Sequence, residues 1–98
     1  MAPTYETAAT FDRDLRSLSA EQHRRFLEKV GDLRDDLAAG QGFRPGLRVK
    51  AVRGAPGVFE MTWAPDGRAT WHYGRQVRPG EAHIVWRRVG THAVFDRL

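Results

Sequence analysis

Ala64-Pro65-Asp66-Gly67 is the stretch that most constrains this chain. Pro and Asp followed by Gly favour a tight turn, because Pro presets one backbone angle and Gly accepts a positive φ. Val58–Trp63 precedes the turn and Arg68–Tyr73 follows it, both rich in β-branched and aromatic residues. Two such runs around a turn predict a β-hairpin. A further strand is predicted over His83–Val89, with Ile84 inward together with Trp86 or Val85, after a polar loop from Gly74 to Gly80. Upstream, Leu47, Val49 and Ala51 alternate with Arg48 and Lys50, a period of two that predicts another half-buried strand. Arg53-Gly54-Ala55-Pro56-Gly57 then supplies the turn into Val58. The sheet half, Gly54–Phe95, holds all three Trp, which are assigned to the core.

The first forty residues follow a helical period. Ser19 and Gln22 form a capping-box pair, and Phe26, Val30, Leu33 and Leu37 make one apolar stripe, widened by Leu27. Gly40 supplies the stop. Gly31 inside this helix costs about 1 kcal/mol relative to Ala. A shorter helix, capped by Thr10 or Asp12, would place Phe11, Leu15 and Leu18 on one face. Thr4–Thr7 suits a short edge strand. The predicted class is therefore α+β: an N-terminal αα-hairpin packed on a small antiparallel β-sheet, with residues 1–98 forming one domain.

Charge separates the two halves. Residues 1–40 carry eight acids against six bases, and residues 41–98 carry four acids against ten bases, so the whole net charge of +4 comes from the sheet half. A basic half beside a mildly acidic one is the footprint of a protein that meets a polyanion. The absence of Cys removes disulfides, thiolate catalysis and Cys-ligated zinc, and is compatible with a reducing cytoplasm. No apolar run approaches the roughly 18 residues of a membrane span, and the charged N-terminal stretch predicts no signal peptide. No membrane partner is therefore expected.

Candidate chemistry is narrow. Gly54 and Gly57 lie in a turn and make no phosphate-binding loop, and Ser17 and Ser19 sit in a helix connection. His23, His72, His83 and His92 lack metal-ligand spacing, so no metal and no cofactor is expected. What remains is His and Arg beside Tyr, Trp and a Glu. That set suits metal-free RNA cleavage, in which the 2′-OH of the RNA attacks the adjacent phosphate. Such a reaction needs a base, an acid and cations for the phosphate. His serves either proton role near neutrality, and Arg offers a fork of donors to phosphate oxygens. Arg87 and Arg88 are adjacent, so a regular strand would send them to opposite faces, with at most one facing the site.

The order and spacing of three segments resemble the RelE/ParE toxin superfamily. Leu47–Glu60 resembles its strand–turn–strand, Gly67-Arg68-Ala69-Thr70-Trp71-His72-Tyr73 its next strand, and Arg88-Val89-Gly90-Thr91-His92-Ala93-Val94-Phe95 the ending of its YafQ- and YoeB-like branches. The resemblance implies a RelE-like microbial RNase fold and the toxin of a type II toxin–antitoxin system. It implies an endoribonuclease (mRNA interferase) that cleaves mRNA on the ribosome in the cytoplasm and is silenced by a bound antitoxin. By matched position, His92 is the catalytic His, Arg68 the phosphate-binding Arg, and Phe95 the aromatic of the closing motif. Where the RelE type carries lysines this chain has Glu60 and Thr62. Glu60 is then comparable to the acid of the YoeB-like branch, which sits earlier in that branch's chain. Lys50, Arg53 and Arg88 are the remaining candidates for RNA phosphate, and Glu60, His72 and His83 for assisting His92. Two rival functions fit the same resemblance: a ParE-like inhibitor of DNA gyrase, and a non-catalytic RNA- or ribosome-binding module.

Overall fold

Ser19 begins the longest element as expected. Its hydroxyl accepts from the Gln22 N–H at 3.1 Å while Gln22 Oε1 accepts from the Ser19 N–H at 2.8 Å. The helix runs over Ala20–Ala39 (α2) and ends at Gly40, whose φ of 68° is left-handed. A computed structural model describes residues 2–91, so His92 and Phe95 lie outside the described residues. The other elements are β1 (Thr4–Thr7), α1 (Ala9–Arg16), β2 (Lys50–Ala51), β3 (Val58–Ala64), β4 (Gly67–Tyr73) and β5 (His83–Thr91). Among the described residues the strands form one sheet in the order β1-β5-β4-β3-β2.

Two helices packed on this sheet give the predicted α+β class, with three local corrections. β1 is a strand, and it pairs with β5 in parallel, Thr4 opposite His83 and Thr7 opposite Trp86. The rest of the sheet is the expected antiparallel meander. The strand predicted from Leu47 to Ala51 shrinks to two residues. Pro45–Leu47 forms a 3₁₀ turn that drives Leu47 fully into the core, and Arg48 takes a left-handed φ of 50°. Burial of Leu47 outweighs continuation of the strand pattern. Finally, α1 starts at Ala9 without a side-chain cap, so neither Thr10 nor Asp12 caps it.

Thr10 and Asp14 serve β5 instead. β1 covers the outer edge of β5 only as far as Trp86. Beyond it, the Ala8 N–H donates to the Trp86 carbonyl at 2.9 Å and the Thr10 hydroxyl to the Arg87 carbonyl at 3.1 Å. Asp14 Oδ2 accepts from the Val89 N–H at 3.2 Å. α1 thus satisfies backbone groups that would otherwise make an open sheet edge.

The core lies between the helices and one sheet face. Trp71 is fully buried and meets Trp86 edge to face at 5.8 Å and Phe59 stacked at 6.0 Å. Phe11 of α1 stacks on Trp86 at 5.6 Å, and Phe26 of α2 meets Trp63 edge-on at 6.0 Å. All three Trp are core residues, as expected. On the outside, Arg44 clasps Asp36 with its side chain at 2.9 Å and its backbone N–H at 2.9 Å. These bonds hold the Asp36 carboxyl below its ordinary value. A depressed folded-state value means that this clasp stabilises above the ordinary carboxylate range and is lost as pH falls through the folded value.

Two glycines make opposite predictions. A Cβ at Gly67 would lie 2.6 Å from the Trp63 ring, so Gly67→Ala should cost about 1–3 kcal/mol through overpacking. A Cβ at Gly31 would meet only Arg34 Nη2, at 3.9 Å, so close packing does not require glycine there. Gly31→Ala should add about 0.5–1 kcal/mol. Urea unfolding of the two variants checks both signs.

Candidate functional site

The sheet has one apolar and one polar face. Alternation puts Phe59, Met61 and Trp63 of β3 and Ala69 and Trp71 of β4 toward the helices. The opposite face is built in rungs. Lys50, Glu60, Thr70 and Arg88 stand side by side across β2, β3, β4 and β5. Thr62, Arg68 and Gly90 form the next rung, and Val58, His72 and Val85 the one on the other side.

β5 breaks the alternation. Thr70 pairs with Arg88, but Trp71 pairs with Trp86, which leaves Arg87 as an extra residue in a β-bulge. Bulges re-aim side chains. Here Arg87 and Arg88 line the same cleft, of about 420 Å³, contrary to the expectation that at most one would face the site. His72 and Thr70 line it as well, above Val52, Val58 and Val85. Arg87 Nη1 donates to His72 Nδ1 at 3.3 Å. Of the two arginines the sequence marks Arg88 and not Arg87 as a site candidate, although one signal for Arg87 exists. Ile84, Trp86 and Val89 are all buried, and their spacing changes from two to three across the bulge.

The predicted site residues are placed unevenly. Lys50 Nζ lies 3.4 Å from Glu60 Oε1, joining the two across one rung, with Lys50 exposed and Glu60 largely covered. Arg53 is exposed in the turn before β3. Arg68 curls over its own hairpin, Nη1 donating to the Gly67 carbonyl at 2.9 Å and to those of Pro65 and Ala64 at 3.3 and 3.4 Å. Arg88 is held by Asp14, Nε donating to Oδ2 at 2.6 Å and Nη2 to Oδ1 at 3.3 Å. His83 is 6% exposed; Nε2 donates to Glu6 Oε1 at 2.9 Å and Nδ1 lies 2.7 Å from the Thr4 hydroxyl, so it clasps β1 to β5. His72 is therefore the described His that opens onto the polar face, and His92 and Phe95 lie outside the described residues. Tyr73, at the end of β4, has its phenol pushed up by burial, an effect partly opposed by Trp71.

Among the described residues no group of three or more His, Asp or Glu is placed to hold a metal ion. A larger groove, of about 620 Å³, opens between α2 and β1, but it is apolar, lined by Tyr5, Leu27, Val30 and Leu37, and holds no chemistry of this kind.

Solved structures superimpose over nearly the whole chain. A chain of the Escherichia coli DinJ-YafQ toxin–antitoxin complex matches with a TM-score of 0.68 and 14% identity, covering 96% of this chain and 97% of its own. An archaeal RelE-RelB complex from Pyrococcus horikoshii matches with a TM-score of 0.61 and 20% identity, covering 94% and 97%. The chain has the RelE-like toxin fold. A metal-bound toxin from Helicobacter pylori shares this fold with a TM-score of 0.63 and 23% identity, covering 96% and 98%. No protein-family model matches the sequence. No curated protein matches it. No helix among the described residues is long and apolar enough to cross a membrane.

The Asp14–Arg88 pair is the joint between α1 and the polar face of this RelE-like sheet. Asp14→Ala removes a bidentate, part-buried partner and the acceptor for the Val89 N–H together. The expected loss is about 2–3 kcal/mol, since hydrogen bonds to charged groups are worth roughly 1.5–3 kcal/mol each and leave a costly orphan when cut. Urea unfolding measures it; a loss under about 0.5 kcal/mol would show that water replaces Asp14 at this edge.

Proposed function

We propose that this chain is the toxin of a type II toxin–antitoxin pair and a metal-independent endoribonuclease that cleaves mRNA on the ribosome. The observation that carries the reading is the polar face itself. In a RelE-like fold, one side of the sheet gathers Lys50, Glu60, Arg68, His72, Arg87 and Arg88 while the other side is sealed by helices. The solved structures with this fold include toxins and toxin–antitoxin complexes, which supports an antitoxin protein as partner.

In this reading His92 is the proton carrier. Gly67 pairs with Thr91 and Arg68 with Gly90, so the described chain ends beside the head of β4, one residue before His92. His92 takes the proton of the 2′-OH as the oxygen attacks phosphorus, or gives a proton to the departing 5′-oxygen. Arg68 faces the phosphate, which carries more concentrated charge in the transition state than in the substrate. Lys50 on the edge strand β2 and Arg53 in the turn before β3 add positive charge to the same surface. Glu60 orients Lys50 and is the carboxylate available to assist His92. Arg88, committed to Asp14, contributes potential and anchors α1 more than it contacts RNA. Phe95 supplies an aromatic surface for a base.

His92→Ala should abolish growth inhibition in a bacterial host and lower mRNA cleavage by at least about a hundredfold, the ordinary scale of a lost general acid or base. Mapping mRNA 5′ ends after induction measures the cleavage, and thermal melting confirms the fold. A folded His92→Ala protein with full toxicity would remove His92 from the mechanism. Growth arrest without new 5′ ends, accompanied by inhibition of purified DNA gyrase, would overturn the nuclease reading altogether.

A further inference from the structure

The β5 bulge creates a second cationic place on the polar face, away from Arg68 and Gly90. His72 stands four residues along β4 from Arg68, a separation of roughly 13 Å at about 3.3 Å per strand residue. The cleft around His72 is lined by Thr70, Arg87 and Arg88 above Val52, Val58 and Val85, and no carboxylate is among its lining residues. Asp14 holds Arg88 from the α1 side without lining the cleft.

Hydrogen-bond chemistry decides what this arrangement offers. A guanidinium has donors and no acceptor, so the 3.3 Å contact requires Arg87 Nη1–H to donate to an unprotonated His72 Nδ1. The imidazole then carries its proton on Nε2. Arg87 fixes the ring, and both residues keep N–H groups for a further acceptor. Donors with no acid among the lining residues suit an anion, and the neighbouring Glu60 is engaged by Lys50. The valine floor suits the sugar or base edge attached to it, which a bare inorganic ion would not use.

We propose that His72, Arg87 and Thr70 form a subsite for a backbone phosphate of single-stranded RNA that flanks the scissile phosphate. The inference rests on the nuclease reading and deepens it. The subsite positions the RNA; the reacting phosphate lies at Arg68. A bound strand is held at two points roughly 13 Å apart, and the contact at the bulge adds affinity remote from the reacting phosphate.

The test uses short, fluorescently labelled oligouridylate and the non-cleaving His92→Ala protein as background. Arg87→Gln should weaken binding about tenfold and make the salt dependence shallower by about 0.7, the slope for one phosphate on a single strand. Arg87→Lys, which keeps the charge, should recover part of the affinity. With His92 intact, Arg87→Gln should raise KM for RNA cleavage about tenfold and leave kcat within about twofold, because the lost contact binds substrate and transition state alike. Arg87 is exposed, so the fold should survive, which thermal melting checks. RNA that binds and is cleaved with unchanged affinity, salt slope and KM in Arg87→Gln overturns the subsite while leaving the nuclease reading standing. The same result with weakened binding of an acidic protein partner would reassign the cleft to that partner. If the unmodified chain neither binds nor cleaves RNA, the nuclease reading fails first. Inorganic phosphate then tests the anion site alone: the His72 ring resonances should shift with phosphate in the parent protein and stay fixed in Arg87→Gln. Resonances that do not move in the parent overturn the subsite as well.

Discussion

Trp86 and Val89 are both buried in the same core, and a regular strand cannot bury residues three apart on one face. One extra residue between the paired positions resolves the conflict. The bulge at Arg87 is that residue, and much else depends on it. It lets Trp86 stack on Phe11 and meet Trp71 while Val89 still points inward. It also turns two consecutive arginines toward one cleft. The apolar requirement of the core is therefore what gives the opposite face its concentration of positive charge.

The same strand explains the placement of α1. β1 runs parallel to β5 and stops at Trp86, because the chain must turn into the helix there. The remaining edge of β5 carries backbone groups that need partners. Thr10 and Asp14 provide them, and Asp14 simultaneously fixes Arg88. A single acidic side chain thus closes a sheet edge, docks a helix and sets the direction of a guanidinium. In an isolated helix such residues would be read only as solvent-facing polar positions.

Legibility followed the range of the interaction that decides each feature. The hairpin at Pro65–Gly67, the capping box of α2 and the stop at Gly40 are local, and each was readable from a few neighbouring residues. The three Trp were assignable to the core because large aromatics dominate cores, and all three are buried there. The two-residue β2 was harder. Leu47, Val49 and Ala51 have strand periodicity, but the core takes Leu47 through a 3₁₀ turn, and only the packing around it reveals that. At the site, Glu60 and Lys50 were recognisable as candidates, while their pairing across one rung depends on register. Arg88 was legible as a cation and illegible as the partner of Asp14, seventy-four positions earlier.

By itself, the sequence determined the class of fold, the helix boundaries set by Ser19 and Gly40, the central hairpin, and a basic half with His and Arg as its reactive vocabulary. Those features arise from backbone propensity, apolar period and composition, all of which act over short spans of chain. The tertiary structure alone decided which cations share a surface. It withdrew His83 into a clasp with Thr4 and Glu6, tied Arg88 to α1, and brought Arg87 against His72. The physical reason is register. A one-residue bulge in β5 changes the face that a side chain occupies, and its position is set by core packing across three strands rather than by any residue in β5 alone.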